Sequence, residues 1–347
     1  MKIYENIEEI IEENKKKYKL IGVGSFSYGA SEYWKLVNET INELIKRHDK
    51  IDIYIEEAEP AIRELNKYIK REKKKMRIIK RYAGMNIYPL KDYISNRYND
   101  SLEFISFIEK LRKINEGEER EVNIYGVDVP IKNNKIDLIQ YINQEEEFWR
   151  RYPEYIKEEY EYGEYTRDKI RKNKRIKKRE KYMSEAIKYL MEKNKNIGVF
   201  IGHNENVMVK KIGNYKTTGY RMKKELREKY ITIGTSGMKG YVRYEGEYIE
   251  SEDRNEVAPI FKIYKKPEKK IFIDNGTLVN YIKNNVKNIV RRVIYKPPDI
   301  NLSYLSIGYI KLQDYDEKDY KYADEFDYMV TYEVINPLNN YIVTIEK

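Results

Sequence analysis

A short apolar run that ends in polar side chains lies near the middle of the chain, in the segment Asn196–Val209 (NIGVFIGHNENVMV). Its apolar residues predict a buried strand, and the residues His203-Asn204-Glu205-Asn206 predict a polar loop after it. Polar groups that follow a strand in an α/β sheet lie at the crevice where ligands bind. His203 is therefore either part of a site or a residue that hydrogen-bonds the local backbone.

Similar apolar runs alternate with helical patterns along the chain. The predicted strands are Leu20–Val23, Ile51–Ile55, Val122–Val129, Tyr230–Ile233, Gly240–Tyr244, Lys270–Ile273, Val293–Tyr295 and Asp327–Thr331, with a loop at Gly234-Thr235-Ser236-Gly237. The predicted helices are Ile7–Tyr18, a helix with Ser31 as its N-cap, Leu102–Ile114, Arg179–Lys193 and Leu278–Val290. Strands that alternate with helices predict an α/β fold with a mainly parallel central sheet flanked by helices.

The length of 347 residues is compatible with a single domain over residues 1–347. Residues 132–179 are rich in charge and tyrosine. We interpret them as a charged helical insertion, or lid, that forms part of the cleft.

The formal charge of +10 describes a basic protein, and much of the excess lies in the runs Lys67–Arg81 and Arg167–Lys181. Such runs more often form solvated helix faces than nucleic-acid surfaces, so nucleic acid is not the expected partner. The sequence has no apolar run long enough to span a membrane and no signal-peptide pattern, so no membrane partner and a cytoplasmic location are expected. The absence of cysteine excludes disulfides and thiolate chemistry.

Carboxylates follow two of the predicted strands. Glu56 and Glu57 end one strand, and Asp128 ends another. These groups are candidate ligands or acid/base groups, or simply charges at helix N-termini. His203, Glu56 and Asp128 include donors for a hard cation, but no ligand spacing demands one, so neither a metal nor a cofactor is expected. The other histidine, His48, is expected to contact the carbonyls at the end of its helix.

Seven motifs occur in the order and at spacings compatible with those of the erythromycin esterase family. They are Gly24–Trp34 (GSFSYGASEYW, for the family's GEATHGTSEFF), Ile55-Glu56-Glu57 (LEA), Leu111–Asn115 (LRxxN), Gly126–Asp128 (GxD), Arg179–Ala186 (R[ED]xxMAEN), His203–Asn206 (HNxH) and Phe326–Tyr328 (FDx). The chain thus resembles this family, whose members hydrolyse macrolide lactones, over nearly its whole length.

The resemblance implies ester hydrolysis by water that a histidine of the first motif activates, supported by acids and by the HNxH pair. Here Tyr28 replaces that histidine and Ser25 replaces its glutamate. Val37 stands where an arginine is expected, and Asn206 replaces the second histidine of HNxH. Tyrosine, with an ordinary pKa near 10, is a poor base at neutral pH. Of the six positions, Glu56 and His203 remain, so macrolide hydrolysis by the family mechanism is not expected.

The residues leave three hypotheses for function. The first is a non-catalytic or strongly altered protein that binds a small polar ligand, with Asn204, Asn206, Asp128 and Arg179 as binding residues. The second is a hydrolase of an unknown ester or lactone in which His203 is the base, Glu56 orients it, and Tyr28 and Ser25 contact the substrate. The third is binding of nucleic acid or another acidic surface through the basic helices. The sequence does not identify the ligand or the oligomeric state.

Overall fold

The computed structural model describes residues 2–27, 29–72, 101–117, 119–128, 169–243, 270–274, 292–297, 302–306, 316–320 and 322–336. Residues 132–168 of the expected insertion (residues 132–179), the expected helix Leu278–Val290 and part of each basic run therefore lie outside the described residues. In the described part of the chain, no helix is both long and apolar enough to cross a membrane.

The strands of the described residues number thirteen. They are β1 (Ile3–Tyr4), β2 (Leu20–Ser25), β3 (Lys50–Ala58), β4 (Glu121–Asp128), β5 (Ile197–His203), β6 (Lys211–Ile212), β7 (Tyr215–Lys216), β8 (Tyr230–Arg243), β9 (Lys270–Asp274), β10 (Arg292–Tyr295), β11 (Leu302–Ser306), β12 (Asp316–Tyr320) and β13 (Tyr328–Ile335). The helices are α1 (Ile7–Asn14), α2 (Ser31–Ile45), α3 (Glu59–Ile69), α4 (Leu102–Ile114), α5 (Lys169–Asn194), α6 (Asn204–Val207), α7 (Thr218–Leu226) and α8 (Tyr322–Glu325), with a 3₁₀ turn at Arg227–Lys229.

Nine strands form one sheet in the order β1-β10-β13-β8-β2-β5-β3-β4, with β9 paired to β8. The pairs from β13 to β4 are parallel, whereas β1, β10 and β9 pair antiparallel. The α/β fold with a mainly parallel sheet is therefore confirmed. The role of the insertion in a cleft stays a prediction.

Helices cover both faces of the sheet. Apolar side chains of α1 to α4 pack on one face with Ile21, Val23 and Ile53. Side chains of α5, α6 and α7 pack on the other face with Leu20, Tyr54 and other residues. Because successive side chains of a strand point to opposite faces, one strand contributes to both cores.

Four local predictions are wrong. The residues of the expected loop Gly234-Thr235-Ser236-Gly237 belong to the continuous strand β8, because β13 pairs with it from Ile233 to Gly240. The small residues of this stretch accommodate Met329, Phe326 and Ile335 instead of forming a turn. The expected polar loop after β5 is the end of β5, at His203, followed by the short helix α6.

The other two wrong predictions concern the start of helix α2 and the residue His48 after its end. Its N-cap is Ala30, which makes no side-chain cap, and Ser31 is the first helical residue, with its hydroxyl directed to Glu32 Oε1 at 3.2 Å. His48 Nε2 hydrogen-bonds Tyr18 OH at 2.8 Å rather than a helix carbonyl. The Tyr18 hydroxyl is thus the hydrogen-bond partner of His48, in place of the expected carbonyls at the end of α2.

The start of α7 packs against the backbone that follows α6, and Gly219 makes this approach possible. A Cβ atom there would overlap the carbonyl of Val207 and lie 2.5 Å from Met208 O. We expect Gly219→Ala to lower the free energy of unfolding by about 1–3 kcal/mol, because the obstacle is backbone and not a mobile side chain. Urea denaturation measures the change. Gly117→Ala is the control, since its nearest neighbour, Ile114 O, would be 3.6 Å away; equal losses in the two variants would contradict the prediction.

Candidate functional site

Four residues singled out in the sequence lie at the carboxyl edge of the parallel sheet, which we define by the last residues of β2, β3, β4 and β5. They are Ser25, Glu56, Asp128 and His203. Ser25 and His203 are register partners on the adjacent strands β2 and β5. Carboxyl ends of parallel strands are the usual location of ligand sites in open α/β sheets.

Arg179 of α5 joins two of these strand ends. Its Nε donates to Asp128 Oδ1 at 2.7 Å, and one terminal nitrogen donates to Asp128 Oδ2 at 2.7 Å. The same terminal nitrogen donates to Glu56 Oε1 at 2.6 Å. The side chains of Glu56, Asp128 and Arg179 are 4%, 15% and 14% exposed, so this two-carboxylate arrangement is largely withdrawn from water. A planar guanidinium suits such paired recognition, and here it serves residues of the protein itself.

Glu56 also binds the backbone next to the histidine. Its Oε2 accepts a hydrogen bond from the His203 N–H group at 2.9 Å. The His203 side chain caps α6, because its Nδ1 accepts a hydrogen bond from the Glu205 N–H group at 3.4 Å. In a neutral imidazole this arrangement assigns the proton to Nε2, which makes that nitrogen a donor and not a base.

Buried polar atoms that make no hydrogen bond among the described residues occur at positions of the predicted site. Among these atoms are Ser25 Oγ and Asn206 Nδ2. Ser25 is fully buried, and Asn206 is 6% exposed. Both stand at positions where the family motifs have a charged or imidazole side chain. A buried donor that finds no partner is destabilising by about 1–3 kcal/mol, so each such atom requires an explanation.

Asn204 has a different environment. Its Nδ2 donates to Thr235 O at 2.8 Å, and its Oδ1 accepts from the Thr235 N–H group at 3.2 Å. Its side chain also lies where a Cβ on Gly24 would be, 2.5 Å from Oδ1. This amide joins α6 to β8 and β2, which is a structural role. Ligand binding by Asn204 stays a prediction.

The other two replaced positions of the family site are Val37 and Tyr28. Val37 is fully buried in the core between the sheet and α1 to α4, so no cation stands at the position of the family arginine. Tyr28 lies outside the described residues. Among the residues that the structure describes, no group of three or more histidine, aspartate or glutamate side chains is arranged to hold a metal ion. The absence of any cofactor stays a prediction.

Sequence reasoning missed Glu180, the residue after Arg179. Its Oε2 accepts from the N–H group and the hydroxyl of Thr218 at 2.6 and 2.8 Å, and its Oε1 lies 3.8 Å from a terminal nitrogen of Arg179. Burial raises the pKa of Glu180 to about 7, against the opposing effects of Arg179 and Thr218. The sequence does contain a signal for this position. Glu180 precedes the buried Met183 and Ile187 by three and seven residues, which places Glu180 on the apolar face of α5.

No protein-family model and no curated protein matches the sequence. Three solved structures are similar in fold. A Bacillus cereus protein of a structural-genomics programme aligns at 15% identity and a TM-score of 0.66, covering 98% of this chain and 96% of its own. A succinoglycan biosynthesis protein aligns at 16% identity and a TM-score of 0.66, covering 95% and 92%.

The third is a mutant of the erythromycin esterase EreC in its open conformation. It aligns at 14% identity and a TM-score of 0.62, covering 97% of this chain and 95% of its own. Agreement over the full length of both chains at such low identity reflects a shared architecture. The chain therefore has the erythromycin esterase-like fold.

Proposed function

We propose that this protein binds a small polar ligand at the carboxyl edge of its sheet and does not hydrolyse esters by the mechanism of the erythromycin esterase family. One observation carries the proposal. The acid and the histidine that remain of the family site, Glu56 and His203, are used in contacts within the protein: Glu56 binds Arg179 and the His203 N–H group, and His203 caps α6.

A general base needs an accessible lone pair and a carboxylate that stabilises its protonated form. The His203 Nδ1 lone pair is directed at the Glu205 N–H group. Both Glu56 oxygens accept hydrogen bonds, so Glu56 is already compensated by a cation and an amide. These contacts support a binding role for the edge more strongly than proton transfer.

The ligand class follows from the unpartnered atoms. Ser25 Oγ and Asn206 Nδ2 are both able to donate hydrogen bonds. A ligand with acceptor oxygens, such as hydroxyl, carbonyl or ether groups, would satisfy them and recover part of the free energy that their burial costs. A small oxygen-rich molecule is therefore the expected class.

We expect the wild type to give no turnover above background on an ester and lactone panel, and to be stabilised in a thermal-shift screen of small oxygen-rich compounds. For any compound that stabilises the wild type, Ser25→Ala or Asn206→Ala should reduce affinity by about two- to tenfold, since a lost hydrogen bond is worth about 0.5–1.5 kcal/mol. Asn38→Ala is the matched control, because the Asn38 amide donates to Trp34 O on α2. Unchanged affinity in both site variants would rule out the proposed edge.

A hydrolase of an unknown ester or lactone, with His203 as the base and Glu56 as its support, is the second candidate. Glu180 favours it, because a buried carboxyl with a pKa of about 7 beside Arg179 resembles a tuned acid/base group. Ester turnover that His203→Ala or Glu180→Gln abolishes, while folding is retained, would establish this candidate in place of the first.

Two further expectations remain predictions: a cytoplasmic location and the lack of a nucleic-acid partner. The nucleic-acid alternative has a direct test. Electrostatic binding through the basic runs would weaken steeply with salt, so binding that persists at about 0.5 M salt contradicts that mode.

A further inference from the structure

A buried carboxyl group without a hydrogen-bond partner lies at the end of α8, away from the Arg179 network. Glu325 is fully buried, and within the described part of the chain both of its carboxyl oxygens lack hydrogen bonds. An ionised carboxylate in such a place is strongly unfavourable, whereas the protonated acid is tolerated. Burial of this group therefore favours its protonated state.

The same residue docks α8 onto the segment that follows α6. The Val209 N–H group donates to the backbone carbonyl of Glu325 at 3.0 Å. Lys210 Nζ lies 3.6 Å from Asp324 Oδ2, and both side chains are about half exposed. Exposed ion pairs of this kind contribute about 0–1 kcal/mol, so the docking depends mainly on the buried contacts.

Hydrogen bonds to other elements hold the chain on either side of this contact. Thr217 Oγ1 donates to Met208 O at 2.9 Å and closes the β6–β7 hairpin. Asp327 Oδ2 accepts from the N–H group and the hydroxyl of Thr232 at 2.9 and 3.1 Å. A separation of α8 from residues 208–210 can therefore occur while both flanking anchors remain in place.

The charged groups that face Glu325 come from three segments. Lys210 lies on the segment after α6, Asp324 on α8 itself and Glu205 on α6. Burial raises the pKa of Glu325 to about 8; Lys210 lowers this pKa, whereas Asp324 and Glu205 raise it further. Two of the three neighbours thus disfavour ionisation.

We propose that α8 is a pH-sensitive latch on residues 208–210, closed while the Glu325 carboxyl is protonated and opened when it ionises. Residues 208–210 follow α6 directly, so opening of the latch removes a contact next to the helix that carries Asn206. It is independent of whether a ligand binds there, because Glu325 and Val209 alone define it.

The direction follows from linkage. An exposed glutamate has a pKa of 4.5, and the closed latch holds the group at about 8. The equilibrium constant for closure is therefore highest below about pH 4.5, and it falls about tenfold per pH unit as the pH rises from there. This constant reaches its lowest value above about pH 8, where Glu325 is ionised in both the closed and the open latch.

Amide hydrogen exchange of Val209, whose N–H group donates to Glu325 O, tests the latch. After correction for the intrinsic exchange rate, the wild type should open about two-hundredfold more at about pH 8.5 than at about pH 5.5. Glu325→Gln keeps the shape without the ionisation and should change less than about threefold. Asp324→Asn removes an exposed charge that raises the pKa of Glu325, so its pH dependence should keep the wild-type direction at a somewhat smaller amplitude.

The same pH dependence in Glu325→Gln and the wild type would overturn the proposal, as would constant protection in the wild type. If Glu325→Gln is poorly folded, Glu325→Met provides a second uncharged side chain of similar length. Protection of Thr232, which faces Asp327, is the internal reference and should not follow the titration of Glu325.

Discussion

Replacing Arg179 with leucine is expected to lower the free energy of unfolding by about 3–5 kcal/mol, the range for removal of one partner from a buried ion pair. Arg179 supplies both hydrogen bonds described above to Asp128 and one to Glu56. Leucine fills part of the volume but leaves two largely buried carboxylates without a cation. Urea denaturation at about pH 7 measures the loss.

Two further variants separate charge from shape. Arg179→Lys retains the positive charge without the planar fork, so an intermediate loss is expected. Adding Glu56→Gln and Asp128→Asn to Arg179→Leu removes the uncompensated charges and should recover part of the stability. A loss below about 1 kcal/mol in Arg179→Leu, the value for a surface pair, would contradict a buried network.

Asp52 is the second residue whose loss should be severe. It is fully buried in β3, and its Oδ1 accepts from the amides of Asn123 and Asn196, each at 3.1 Å. Its Oδ2 accepts from Asn194 Nδ2 at 2.8 Å and from Tyr54 OH at 3.4 Å. One carboxylate thus ties β3 to β4 and to the connection between α5 and β5.

Asp52→Ala is expected to reduce the free energy of unfolding by about 3–5 kcal/mol, since the buried donors of Asn123 and Tyr54 lose their acceptor at about 1–3 kcal/mol each and two partly buried asparagine amides lose theirs as well. Asp52→Asn preserves the volume and one acceptor oxygen, so its loss should be smaller. Chemical denaturation of the two variants gives the comparison. Because Asp52 lies near the start of β3, and Glu56 near its end, ligand affinity should not change; a selective loss of affinity with unchanged stability would refute this structural role.

The sequence predicted the parallel sheet well where apolar runs end in polar residues. The strands at Leu20, Ile51, Val122 and Ile197 were all identified because each is bounded by charged or polar neighbours. Helix α4 was predicted with its observed bounds, Leu102–Ile114, since Phe104, Phe107, Ile108 and Leu111 repeat at helical spacing. Local patterns of this kind are visible without any knowledge of distant contacts.

The predictions that failed depend on tertiary partners. Glycines at 234 and 237 are typical of a turn, but β13 pairs along this stretch and its side chains need the space. The spacing of Glu180 places it on the apolar face of its helix, but its partner Thr218 lies 38 residues away and has no local signal in the sequence. The contacts of Arg179 with both strand ends likewise arise from a separation of more than fifty residues in sequence.

The strand order has a consequence for how the protein folds during synthesis. β5 lies between β2 and β3, so the two earliest long strands are separated by a strand that the ribosome produces about 140 residues later. On its other side β2 pairs with β8, which emerges later still. A nascent chain that ends before β5 therefore holds β2 with neither of its neighbours, and the centre of the sheet assembles only after much of the chain has been made. Such distant pairings close slowly, so chaperone protection of the exposed β2 edge is expected to matter more here than for a sheet built in sequence order.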